Sequence, residues 1–300
     1  MENKNKPNLL IIGVHKAGTT SVFEYLSAHP EVCGSRKKEL HYYTPLRFGR
    51  DLTDFNDYLG KFSHCGKVKY NLEASPSYLY GKGIIGERIK NDLGNVKLIL
   101  ILRDPVSRFI SYYRSLKGTL RLEKDADFDS FLERSLEMSA VEESEDIYVR
   151  GVREGYYSQY LKEWLKLYDR NELKITFFES LKNDPSSFMK DIVSWLDLET
   201  SFYEDLSIFT VANRTRMPSN LKVHKLIVLF NKYTEPFFRH QRKLKHYLRE
   251  FYFKINRERA PEHISEKSQN RLKELYELEI KELKNILKND KVTDLPEWLS

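Results

Sequence analysis

Cysteine is almost missing from this chain: of 300 residues only Cys33 and Cys65 carry a thiol. Two cysteines make no disulfide framework and no zinc spacing. The eight histidines are scattered, with no His/Cys/Asp cluster at ligand spacing, so no metal is expected. Long apolar runs are missing as well. Nothing approaches the roughly 18–20 consecutive apolar residues that span a bilayer. The first apolar run, Leu9–Ile12, is too short for the core of a signal peptide. These absences predict a chain without anchor or export signal, in a reducing cytoplasm. Internal repeats and low-complexity linkers are lacking too. One domain over residues 1–300 is expected.

Charge is plentiful, at 31% of residues against 40% hydrophobic, and the net +6 is unevenly spread. Between Leu221 and Ala260, 11 Lys/Arg face 3 Glu, a local +8; between Glu123 and Asp146, 10 acids face 2 bases, a local −8. Such stretches are ordinarily solvated helix faces. The basic one also suits an anionic donor, glycan or lipid surface, and the acidic one a mobile lid or a surface that repels sulfated polymers. No nucleic-acid partner is implied.

Asn8–Gly13 is a short apolar run ending in glycine, followed by helical spacing through Val22, Phe23, Tyr25 and Leu26. That order reads as strand, loop, helix. Val96–Leu102 suits a strand buried on both faces, and Pro105 just beyond it suits the first turn of a helix. Lys69–Leu72 and Leu173–Phe178 are further strand candidates, and Gly155–Tyr168 and Pro185–Leu196 have helical spacing. Alternating strands and helices imply an α/β fold: a central, mainly parallel sheet flanked by helices, over residues 7–220. From Leu221 onward no strand is evident. Leu272, Tyr276, Ile280, Leu283 and Leu287 share one helix face, so 221–300 is expected to be a helical layer on that core.

Gly13-Val14-His15-Lys16-Ala17-Gly18-Thr19-Thr20 has the glycine spacing of a phosphate-binding loop. Glycine lets the backbone approach an anion, and the N–H groups opening the next helix point at it. A P-loop kinase or NTPase using ATP and magnesium would carry lysine directly after the second glycine. Here Thr19 holds that place and Lys16 lies two residues before the glycine. A non-catalytic protein holding an anionic polymer is the third reading.

The combination Lys-x-Gly-Thr-Thr resembles the sulfotransferases that use 3′-phosphoadenosine 5′-phosphosulfate (PAPS), with the heparan-sulfate type and its bacterial relatives nearest. The resemblance runs along most of the chain: through Lys38-Glu39-Leu40-His41-Tyr42-Tyr43, Leu72-Glu73-Ala74-Ser75-Pro76-Ser77-Tyr78, Leu102-Arg103-Asp104-Pro105 to Ser111-Tyr112, Gly155-Tyr156-Tyr157-Ser158 with Trp164, and Leu295-Pro296-Glu297-Trp298-Leu299. It implies a sulfuryl transfer from PAPS, leaving PAP, to a hydroxyl or amine, most readily of a sugar.

On that resemblance Ala17, Gly18, Thr19 and Thr20 hold the 5′-phosphosulfate and Lys16 meets the charge growing on the bridging oxygen. Arg103 and Ser111, eight residues apart on a helix begun by Pro105, take the 3′-phosphate. Glu39 is the candidate base. His41 faces the same side if the segment is extended, where it orients the base, touches the acceptor or is structural. Arg214 and Arg216 are looser donor contacts. One departure stands out: some heparan-sulfate enzymes carry a second active-site lysine where this chain has Ala74. Arg36, Lys37 and Lys38 are the cations able to replace it.

Overall fold

The computed structural model describes residues 5–123, 126–142, 144–209 and 262–300. Strand β1 (Leu9–Gly13) leads through the phosphate loop into helix α1 (Thr19–Ala28), followed by β2 (Val32–Gly34), α2 (Phe55–Leu59) and β3 (Tyr70–Ala74). Helix α3 (Lys82–Leu93) precedes β4 (Lys97–Leu102), and α4 (Pro105–Gly118), α5 (Phe128–Glu137), α6 (Ile147–Arg153) and α7 (Tyr157–Leu165) follow. Then come β5 (Leu173–Phe177), α8 (Phe178–Asn183), α9 (Pro185–Trp195) and α10 (Glu266–Asn289).

The five strands are all parallel, in the order β2-β3-β1-β4-β5. β1 and β4 pair with Leu10 opposite Leu98 and Ile11 opposite Ile99. Their apolar residues are buried on both faces, which is why they read as unbroken runs rather than alternating ones. Each fully buried Leu or Ile there contributes about 1.5–3 kcal/mol. In a parallel sheet every strand leaves at the same end, so β1, β2, β3 and β4 deliver their following loops to one edge.

Local chemistry sets the helix starts. Asp104 accepts from the Val106 and Ser107 N–H groups and Pro105 occupies the first turn of α4. Asp184 and Pro185 repeat the device at α9, and Ser265 caps α10. A second core forms where α4 and α5 meet α10, through Phe109, Tyr113, Phe128, Phe131, Leu272 and Tyr276. Leu283 and Leu287, lower on the same stripe, join the main core. The expected C-terminal helical layer is thus α10 within the described residues, while 221–261 lies outside them.

Several expectations change. Cys33, the middle residue of β2, is disulfide-bonded to Cys65, their Cα atoms 5.8 Å apart. The parallel pairing of β2 with β3 folds distant sequence together, which a cysteine count cannot show. The count therefore no longer argues for a reducing compartment. His64 joins the pair, so Cys33, His64 and Cys65 do form a cluster with potential ligand atoms within 4.8 Å of one another; its two sulfurs are spent on each other. Within the acidic stretch, α5 is packed rather than loose: Phe131 and Leu132 are buried and Glu133 pairs with Arg271 of α10. No helix among the described residues is long and apolar enough to cross a membrane.

Candidate active site

The loops after β1, β2 and β4 carry Lys16, Glu39, His41 and Arg103. After β1, Lys16 takes a left-handed φ of 71° and Gly18 one of 76°. At Gly18 a Cβ would also lie 2.7 Å from Leu181 Cδ2, so only glycine fits this turn. Gly18 caps α1 without any side-chain hydrogen bond, leaving the first N–H groups of the helix for an anion. The Ala17 N–H is an exception, because it donates to Val14 O at 3.3 Å. Thr19 is buried and Thr20 half-buried.

After β4, Arg103 donates to Lys16 O at 2.7 Å and lies over the Phe178 ring, 4.4 Å from its centroid. It braces the loop that carries Lys16. Its Nε is buried without a hydrogen-bond partner among the described residues. Burial foremost, then the charge of Arg103, brings the Lys16 ammonium down to about 8. Ser111 stands half-buried two turns into α4. Arg214 and Arg216 lie outside the described residues.

After β2, the Glu39–His41 segment is not extended. Both residues have positive φ, 62° and 54°, because they are strapped to the end of β3: the Glu39 N–H donates to Ala74 O at 2.9 Å and the His41 N–H to Ser75 Oγ at 2.9 Å. The turn still brings the side chains together, with His41 Nε2 3.4 Å from Glu39 Oε2. His41 Nδ1 meets Ser77 Oγ at 3.0 Å. Lys38 donates to Glu39 Oε1 at 2.6 Å. Burial would raise the Glu39 carboxyl, but His41 and Lys38 outweigh it and hold it well below the usual carboxylate range. Of the three cations near Ala74, it is Lys38 that reaches Glu39; Arg36 turns to Ser63.

Residues that pattern reading passed over complete the site. Glu73, fully buried at the end of β3, accepts from Ser75 Oγ at 2.5 Å and is pushed up to about 7 by burial. Glu154 is also fully buried. It accepts from Arg150 Nε at 2.8 Å and Arg47 Nη1 at 3.2 Å, and lies 2.9 Å from His15 Nδ1. Its place immediately before Gly155-Tyr156 was the available signal. A cavity of about 500 Å³ opens beside these groups, walled by His15, His41, Arg47, Arg50, Arg121 and Arg150, with Glu145 the one acid among the described residues of its wall.

A glycine turn at the end of a parallel strand, a lysine braced by an arginine, and a carboxylate near a basic cavity thus lie at one end of the sheet. The sulfotransferase domain profile matches residues 6–283, and the chain belongs to that family, whose members use PAPS. It is 26% identical over 194 residues to heparan sulfate glucosamine 3-O-sulfotransferase 5 of Homo sapiens, covering 64% of this chain and 54% of the relative. It is 28% identical over 200 residues to heparan sulfate glucosamine 3-O-sulfotransferase 3B1 of Mus musculus, covering 66% and 47%. The chain thus spans about half the length of these curated relatives. A sulfotransferase from Alicyclobacillus acidocaldarius shares the fold, with a TM-score of 0.68 at 21% identity over 98% of this chain and 99% of that one.

Proposed function

We propose that this chain moves a sulfuryl group from PAPS to a hydroxyl or amine of a carbohydrate acceptor. The observation that carries the reading is the convergence of Lys16, Arg103 and Glu39 at one edge of the sheet, beside a polar cavity. In this reading the N–H groups opening α1 hold the 5′-phosphosulfate, and Lys16 meets the charge left on the bridging oxygen as the S–O bond breaks. Arg103 and Ser111 serve the 3′-phosphate, with Arg214 and Arg216 as further donor contacts. Glu39 takes the acceptor's proton, freed for that work when the donor's charge draws Lys38 off it. His41 orients the carboxylate. The names of the 3-O-sulfotransferase relatives and the histidines, arginines, Ser77 and Thr44 in the cavity wall favour a sugar.

The ATP–magnesium kinase reading has only the glycine spacing behind it. Thermal melting separates the two: PAP or PAPS at a hundredfold excess over its Kd adds about 2.7 kcal/mol of stability, here without magnesium. A shift with ATP–Mg²⁺ and none with PAP rejects the proposal.

A further inference from the structure

His15 stands in the phosphate loop next to Lys16, yet its side chain turns away from the loop to Glu154. Contacts with Glu154 and Tyr80 hold the residue, and Arg150 Nη2 lies farther off, 3.5 Å from Nδ1. Nδ1 lies 2.9 Å from Glu154 Oε2. The ring stacks on Tyr80, centroids 5.4 Å apart and planes 21° from parallel, and the His15 backbone N–H donates to the Tyr80 hydroxyl at 3.3 Å. Glu154 is itself clamped as a carboxylate by Arg47 and Arg150, and such an acceptor requires the proton on Nδ1. The free lone pair then sits on Nε2, which has no hydrogen-bond partner among the described residues. His15 also lines the cavity, together with His41. Glu39, by contrast, is already engaged by Lys38 and His41.

We infer that His15 is a second proton-accepting residue of the acceptor site, with Glu154 as its positioning residue. The inference rests on the sulfotransferase reading and deepens it. As the acceptor oxygen bonds to sulfur and the S–O bond to the 5′-phosphate breaks, PAP leaves with that bond's electron pair. The acceptor's proton passes to Nε2. Glu154 holds the imidazolium until it gives the proton to water. Burial lowers the basicity of His15; Glu154 and Glu39 oppose that, and Arg150 adds to it, so the ring is neutral and ready near pH 7. The arrangement is that of a base oriented by a buried carboxylate.

The test uses His15→Asn, whose amide keeps an N–H toward Glu154 but has nothing at Nε2. PAPS turnover is measured with water and with N-sulfated heparosan oligosaccharides as acceptor probes. The expected loss is about 10²-fold or more, with the PAP-induced melting shift preserved. Glu154→Gln moves the acid limb of the rate profile to lower pH, and Glu39→Gln in parallel shows whether the two bases act separately. In the wild-type chain, NMR of ¹⁵N-labelled histidine reads the tautomer with no acceptor present. A proton on Nε2 at pH 7, or wild-type turnover by His15→Asn, overturns the inference. Absence of any PAP shift in the wild-type chain sinks the sulfotransferase reading instead.

Discussion

At the scale of single residues, Lys16 shows how a fold tunes a charge. Its position two residues before Gly18 is plain in the sequence, but its chemistry comes first from burial and then from Arg103, 87 residues away, bonded to its carbonyl. With the ammonium near 8, Lys16 is a cation below that pH and loses charge above it. If it neutralises the leaving phosphate, kcat/KM for PAPS falls as pH rises through about 8, since that ratio reports the free enzyme. Lys16→Ala costs roughly 10²–10³ in turnover, the range for removing one donor to a developing oxyanion, while the circular dichroism spectrum stays native. Unchanged turnover removes Lys16 from the chemistry. Glu39 and His41 were legible as a pair, but not their geometry, because the straps to Ala74 and Ser75 are tertiary bonds.

At the scale of elements, long periodic or fully apolar segments were readable. β1 and β4 lie within a residue or so of where the apolar runs put them, because strands buried on both faces have no polar alternation to disguise them. Helix α10 bears the stripe of Leu272, Tyr276, Leu283 and Leu287, all fully buried. Leu283→Ala should cost about 2–5 kcal/mol in urea unfolding; a loss below 1 kcal/mol would mean that α10 is not part of the cooperative core. β2 escaped notice. With three residues it carries no period, and only its pairing with β3 makes it a strand.

For the whole molecule, the disulfide closes a segment of 32 residues that contains the Glu39 turn and α2. Loop-closure entropy assigns such a cross-link about 4 kcal/mol. Denaturant titration with and without a thiol reductant, and of Cys33→Ser, should show a loss of that order; an unchanged midpoint would mean the pair is open in solution.

The loop from Gly13 to Thr20 with its displaced lysine, the α/β alternation and the order of the family motifs were determined by the sequence alone, since each depends on neighbours within a turn or a strand. The closed cysteine pair, the Glu39–His41 turn and the His15–Glu154–Arg150–Arg47 cluster were decided only by the tertiary structure. Glu154 lies 139 residues from His15, and no local pattern encodes a contact made by stacking α6 against the loop after β1. Burial gives that contact its chemistry, because a fully buried carboxylate acts on the imidazole beside it more strongly than it would in water.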